Sequence, residues 1–173
     1  MSLLKTYGPG ETSGEVEGFY QSFMDSVGMV PPPFLMYSTS PEIQSLQAQV
    51  IQYYRERSGL SPLLTALIRY LTAAALEMEG CVEFNTRALV ALGLTREQIA
   101  DLRMNPAAAP LDEKEGWMLA LVIKALRAPE TVSEGHVRKL RDLGWTDRDI
   151  FDALYISCMM SGMQRMMKAL KFE

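Results

Sequence analysis

Apolar positions along this chain recur with the 3.6-residue period of a helix wherever they recur at all. Val16, Phe19, Tyr20, Phe23, Met24 and Val27 form an amphipathic stripe, with Ser13 as its cap, Glu15 and Glu17 in its first turn and Gly28 as its stop. "VPPPF" is expected to be extended, because three prolines do not fit inside a helix. A second helix is expected from about Pro41 to Arg57, with Ile43, Leu46, Val50 and Tyr53 or Tyr54 inward and Gly59 at its end. "SPLLTALIRYLTAAALEME" opens with a serine cap and a proline at the first helical position. It is apolar on most sides, which predicts a central buried helix, interrupted at Gly80. "CVEFNTRALVALG" reads as a short helix closed by Gly93, and Thr95 with Gln98 reads as a capping box for "TREQIADLR".

Beyond the loop "NPAAAPLD", Asp112 to Arg127 is expected to be helical, with Trp117, Met118, Leu121, Val122 and Leu126 on its apolar stripe. His136 to Leu143 follows, ending at Gly144, and a last helix starts at Thr146 and runs to about Leu170. No segment alternates with the period of two that marks a strand. The expectation is an all-α fold: a tail over 1–14, then one domain over 15–173 with seven or eight helices. "LGLTREQIADL" and "LGWTDRDIFDAL" share a helix–Gly–x–Thr–helix turn, 51 residues apart. Either both use one common stop-and-start device, or one helical hairpin occurs twice.

Composition narrows the function classes. With 173 residues the chain can bury a core without staples. A net charge of −4 gives no pull toward nucleic acid or anionic lipid. No apolar run reaches the ~18 residues of a membrane span, and the N-terminus lacks the pattern of a secretory signal. A cytoplasmic setting is therefore expected. Two cysteines, Cys81 and Cys158, make no disulfide framework, and with a single histidine they offer no recognisable zinc site. No phosphate loop, dinucleotide fingerprint or nucleophile elbow occurs, so no cofactor is implied.

The stretch "MEGCVEFN", residues 78–85, carries the candidate chemistry. Cys81 is expected at a helix N-terminus, where backbone N–H groups and the dipole favour a thiolate. Glu77, Glu79 and Glu83 oppose this by raising the pKa. Cys81 reads either as a one-cysteine catalyst or as a buried cysteine acting as a small hydrophobe. Glu83, with Glu77 and Glu79, reads as a candidate acid or as a solvated acidic face. Asn85 can hold a substrate or bond neighbouring backbone. Arg87 can bind a carboxylate or pair with Glu83 at i, i+4. Met78, Glu77, Asn85 and Arg87 are thus the pocket candidates, and Cys81 and Glu83 the catalytic ones. His136 reads as an exposed side chain away from this motif. The last helix holds five methionines between Met159 and Met167. They suit core packing, a subunit interface or an apolar ligand pocket.

These residues resemble the carboxymuconolactone decarboxylase family, and within it the alkylhydroperoxidase D-like, peroxidase-related proteins. The likeness rests on Cys81, on Gly93, on "GLTREQI" after it, on "VPPPFLMYSTSPEI" and on "LRDLGWTDRDI" with its "QRMMKAL" ending. It spans about 28 to 170. The resemblance implies an alkylhydroperoxidase D-like helical fold and an antioxidant oxidoreductase class. It also implies assembly as dimers, trimers or hexamers, and a hydroperoxide or small apolar ligand. It implies a Cys-x-x-Cys-x-x-x-His motif with a distant glutamate. Here Met78 stands at the first cysteine, Asn85 at the histidine and Ala66 at the glutamate. A thioether forms no disulfide, and neither an amide nor a methyl titrates. The dithiol cycle is therefore not expected. A binding or assembly role is the leading expectation, with a single-thiol peroxidase or reductase at Cys81 as the alternative and a lactone decarboxylase-like lyase as a further one.

Overall fold

The computed structural model describes residues 2–172. Among them the chain forms nine α-helices and three 3-10 turns, and no strand. It packs as two compact units. The first takes in the N-terminal residues through Arg57 together with the residues from Gly162 on, and the second is Ser58–Ser161.

The first unit holds α1 (Gly14–Val27), α2 (Pro32–Met36) and α3 (Pro41–Glu56). α2 is the helix beyond the expected seven or eight, and it corrects the extended reading of "VPPPF". Pro31 is extended (φ −61°, ψ 136°) and caps the helix, while Pro32 and Pro33 fill the first turn. The N–H groups that proline lacks are unpaired in a first turn anyway, so only a proline deeper in a helix would break it. Ser13 precedes α1 but its hydroxyl makes no capping bond; Gly28 ends the helix in the left-handed region (φ 73°) as expected.

Tyr20 is the buried residue of α1 and donates its phenol to the carbonyls of Tyr7 and Phe34, at 3.0 and 3.4 Å. Phe19, Phe23 and Phe34 pack around it with ring centroids 5.0–5.3 Å apart. The segment before α1 is tied down: the Tyr7 N–H donates to the Ser38 hydroxyl at 2.9 Å, and the Leu3 N–H to the Leu170 carbonyl at 2.9 Å.

α3 reverses the expected roll. Gln44 is its buried residue, while Ile43 and Leu46 are 46 % and 55 % exposed. Periodicity identifies an apolar stripe, but not which side of the helix meets its neighbours. Gln44 has no hydrogen-bond partner for either atom of its carboxamide, so α3 leaves apolar area outside and an unpaired amide inside.

The second unit is built on α4 (Pro62–Ala75), against which α5 (Glu79–Ala91) and α7 (Glu113–Arg127) pack. α4 is buried nearly all round, from Leu64 to Ala73, and the Ser61 hydroxyl accepts the Leu64 N–H at 3.1 Å. On α7, Met118, Leu119, Leu121 and Val122 are buried, but Trp117 turns outward under the Lys139 ammonium, 5.3 Å from its ring centre. α6 (Arg96–Asp101) has the expected capping box: Thr95 accepts the Gln98 N–H at 3.2 Å, and Gln98 accepts the Thr95 N–H at 2.9 Å.

α8 (Glu134–Asp142) gives His136 a use that its sequence context did not suggest. Nδ1 accepts the Ser133 N–H at 3.1 Å and lies 2.7 Å from the Ser133 hydroxyl, closing a capping box at the helix start. α9 (Asp147–Ala169) runs through Ser161 in the second unit and on into the first. Its buried residues are Ile150, Asp152, Ala153, Ile156 and Ser157; none of its five methionines is buried, and Met166 is 41 % exposed.

The repeated turn is one device used twice. Gly93 (φ 99°) and Gly144 (φ 85°) take the left-handed position. The next residues, Leu94 and Trp145, donate back to the carbonyls of Leu89 and Leu140 at 3.2 and 3.1 Å. Thr146 and Asp149 repeat the capping box of Thr95 and Gln98. Among the described residues, no helix is long and apolar enough to cross a membrane.

Candidate functional site

The junction of α4 and α5 decides where the motif residues point. α4 does not run on to Gly80. It ends at Ala75, and Glu77 takes the left-handed position (φ 57°) that glycine holds in the two other turns. The Met78 N–H reaches the Ala73 carbonyl at 2.9 Å and the Glu77 N–H the Ala74 carbonyl at 3.3 Å, the same backbone closure. Met78 then caps α5 and Cys81 is its third residue.

From there the helical period sorts the side chains. Met78, Cys81, Asn85 and Leu89 share one face, and all are buried. The Asn85 side-chain amide donates to the Cys81 carbonyl at 2.8 Å, the back-bonding expected of an asparagine inside a helix, and its Oδ1 is buried without a partner. Burial pushes the Cys81 thiol up to about 11 from an ordinary 9.0. The helix N-terminus pulls the other way, but its effect is worth under one pKa unit, about 0.3–1 kcal/mol at an exposed site, whereas desolvation can shift a buried group by several. Cys81 and Cys158 are both free thiols.

The remaining candidates are on other faces. Glu77 and Arg87 are exposed. Glu83 accepts from Arg87 Nε at 2.9 Å and from Arg96 at 3.2 and 3.3 Å. Those bonds, to Arg96 first and then to Arg87, hold its carboxyl at about 2. Glu83 is thus a paired surface carboxylate, with no proton to give or take near neutrality. The structure brings Met78, Cys81 and Asn85 together but groups none of Glu77, Glu83 and Arg87 with them. Ala66, on α4, is also buried, so the position of the implied glutamate holds only a methyl. Among the described residues, no cluster of His, Cys, Asp and Glu is placed to hold a metal ion.

A surface cleft that the motif does not announce has the paired carboxylate of Glu83 in its wall. It has about 340 Å³ of space between α4, α5 and α6, and its walls include Tyr70, Thr86, Arg96 and Arg103. Val82 and Thr86, one position on from Cys81 and Asn85, carry α5 into it. Only the tertiary approach of α6 makes those positions neighbours.

The sequence model of the carboxymuconolactone decarboxylase family matches residues 41–124. A comparison with curated protein sequences finds no match. Among solved structures, the chain is similar to an alkylhydroperoxidase AhpD core protein, an uncharacterized peroxidase-related protein from Ralstonia eutropha JMP134. That pair has 20 % identity and a TM-score of 0.79, over 99 % of this chain and 91 % of the other. It is also similar to an uncharacterized peroxidase-related protein from Silicibacter sp. TM1040, at 22 % identity and a TM-score of 0.81, over 99 % and 91 % of the two chains. At such identity these likenesses establish the fold. The chain thus matches the carboxymuconolactone decarboxylase family model over residues 41–124 and has the all-helical fold of the alkylhydroperoxidase core.

Proposed function

We propose that this protein keeps the alkylhydroperoxidase-type scaffold without its dithiol chemistry, and works as a binding or assembly protein. The observation that carries the reading is the buried face Met78–Cys81–Asn85, with its single thiol held protonated at neutral pH. A disulfide cycle needs a second thiol within bonding reach of the first, and a thioether has no S–H to give. A proton relay needs a group that titrates, and neither the Asn85 amide nor Ala66 does. The same amide weighs against lactone decarboxylation, which the resemblance assigns to a histidine at that place. A single-thiol oxidoreductase would need a thiolate open to solvent, and Cys81 is neither.

The assembly half of the reading is supported by apolar surface left uncovered in one chain: Ile43 and Leu46 on α3, and the methionine-rich end of α9. A homo-oligomer working in the cytoplasm is the form we propose. The test is hydrogen peroxide consumption with a dithiol reductant, wild type against Cys81→Ser. Equal, background-level rates are expected, and Cys81-dependent turnover would overturn the reading.

A further inference from the structure

We propose that the cleft between α4, α5 and α6 binds a small organic monocarboxylate, with Arg103 as its anchor. The proposal rests on the binding reading above, but uses none of Met78, Cys81 and Asn85. Three guanidiniums lie around this part of the surface, and they are not equivalent. Arg87 and Arg96 are both committed to Glu83. Arg103 has no carboxylate partner among the described residues; its Nε–H donates to the Tyr70 hydroxyl at 3.1 Å, and its guanidinium lies 5.8 Å from that ring's centre. Tyr70 is itself 1 % exposed, so the arginine is held by a core residue. With Nε occupied, the two terminal nitrogens remain, and together they present the parallel N–H pair that a carboxylate accepts in two bonds.

The rest of the cleft suits a small apolar body behind that carboxylate. Val82 and Ile99 give it a hydrocarbon wall, and both are buried residues of their helices. Thr86 lines the same space, and its hydroxyl has no hydrogen-bond partner among the described residues. About 340 Å³ lies at the lower end of the range for small-molecule sites. Glu79, which has no ion pair among the described residues, and the arginine-paired Glu83 also line the cleft, so a second anionic group on the ligand would meet like charge. That disfavours a dicarboxylate or a phosphate ester against a monocarboxylate.

The experiment is titration calorimetry of the full chain with benzoate and butyrate as probes, and with benzamide and inorganic phosphate as controls. Saturable benzoate or butyrate binding is expected, with neither control binding comparably. Arg103→Gln should weaken it by about tenfold or more, and Arg103→Lys, which keeps the charge but loses the fork, nearly as much. Tyr70→Phe, which removes only the hydroxyl, should weaken it less. Circular dichroism of the Arg103 variants checks that this exposed position leaves the fold intact. Cys81→Ser should bind as wild type does. Absence of carboxylate binding would overturn the proposal, as would affinity unchanged in Arg103→Gln or equal affinity for phosphate. Loss of binding in Cys81→Ser would place the ligand at the motif instead. None of these outcomes alters the thiol reading, which stands or falls on peroxide turnover.

Discussion

Replacing Cys158 with serine leaves Cys81 as the sole thiol, and its alkylation by iodoacetamide then reports one site. The reagent reacts with the thiolate. At a pKa of about 11, roughly one molecule in 10⁴ carries the thiolate at pH 7. At the ordinary 9.0 the fraction would be about one in 100, so the native protein should react about a hundredfold more slowly than the same chain in urea, before any shielding. The rate should climb with pH past 9 without an inflection near neutrality.

The same shift has a sign in stability. Between pH 9 and 11 the unfolded chain gives up the Cys81 proton and the folded one keeps it, so unfolding is favoured as pH rises. The contribution is fully present below 9 and is lost on the way to 11. Its ceiling is about 2–3 kcal/mol, from ~1.36 kcal/mol per unit over the two units of displacement. Urea unfolding of wild type and Cys81→Ala across pH 7–11 isolates it, because the other titrating groups cancel in the difference. An alkylation inflection below about pH 7, the range of activated thiols, would refute the burial argument. So would a wild-type minus Cys81→Ala difference that is flat across that alkaline range.

Gly59→Ala should destabilise by about 1–3 kcal/mol in urea unfolding, because a Cβ there would overlap the Asp149 carboxylate, which is held in place as the capping partner of Thr146; a neutral effect would mean that Asp149 can step aside. Glu77→Gly should stabilise by up to about 1 kcal/mol, since the left-handed backbone of Glu77 is strained for any residue with a Cβ, and a loss in thermal melts would contradict this. The Glu83 carboxyl, held at about 2 by Arg96 and Arg87, contributes stability above the ordinary 4.5 that is lost as pH falls toward 2. Solvent screening of this exposed group keeps that contribution within about 1 kcal/mol, so Glu83→Gln should shrink the acid-side slope only slightly; a larger effect in acid titrations would mean a role beyond the surface network. Light scattering at micromolar concentration should give a mass above the single chain's 19.4 kDa, and a monomer mass would sink the assembly half of the proposed function.

Much of the fold was legible because local rules wrote it. The buried character of α4, the Thr95–Gln98 box and the Gly93 and Gly144 stops follow from periodicity and capping chemistry within a few residues of each position. The expectation for the motif also came from the residues themselves, since Met78, Asn85 and Ala66 lack the thiol, imidazole and carboxylate that the resemblance implies. Other features were decided by tertiary structure. Glu77, not Gly80, turns the chain into α5, because closing back onto Ala73 and Ala74 required a left-handed residue at that place. α3 buries Gln44 and shows Ile43 and Leu46, because a stripe gives a helix a face but not a neighbour. The burial of Cys81, which overrides the helix terminus acting on it, comes from how α5 packs against the neighbouring helices. The Arg103–Tyr70 pairing joins positions 33 residues apart, and no local spacing rule reaches across that distance. Periodicity and capping act over a few residues, whereas a pKa, a cleft and an uncovered face depend on which distant residues arrive beside them.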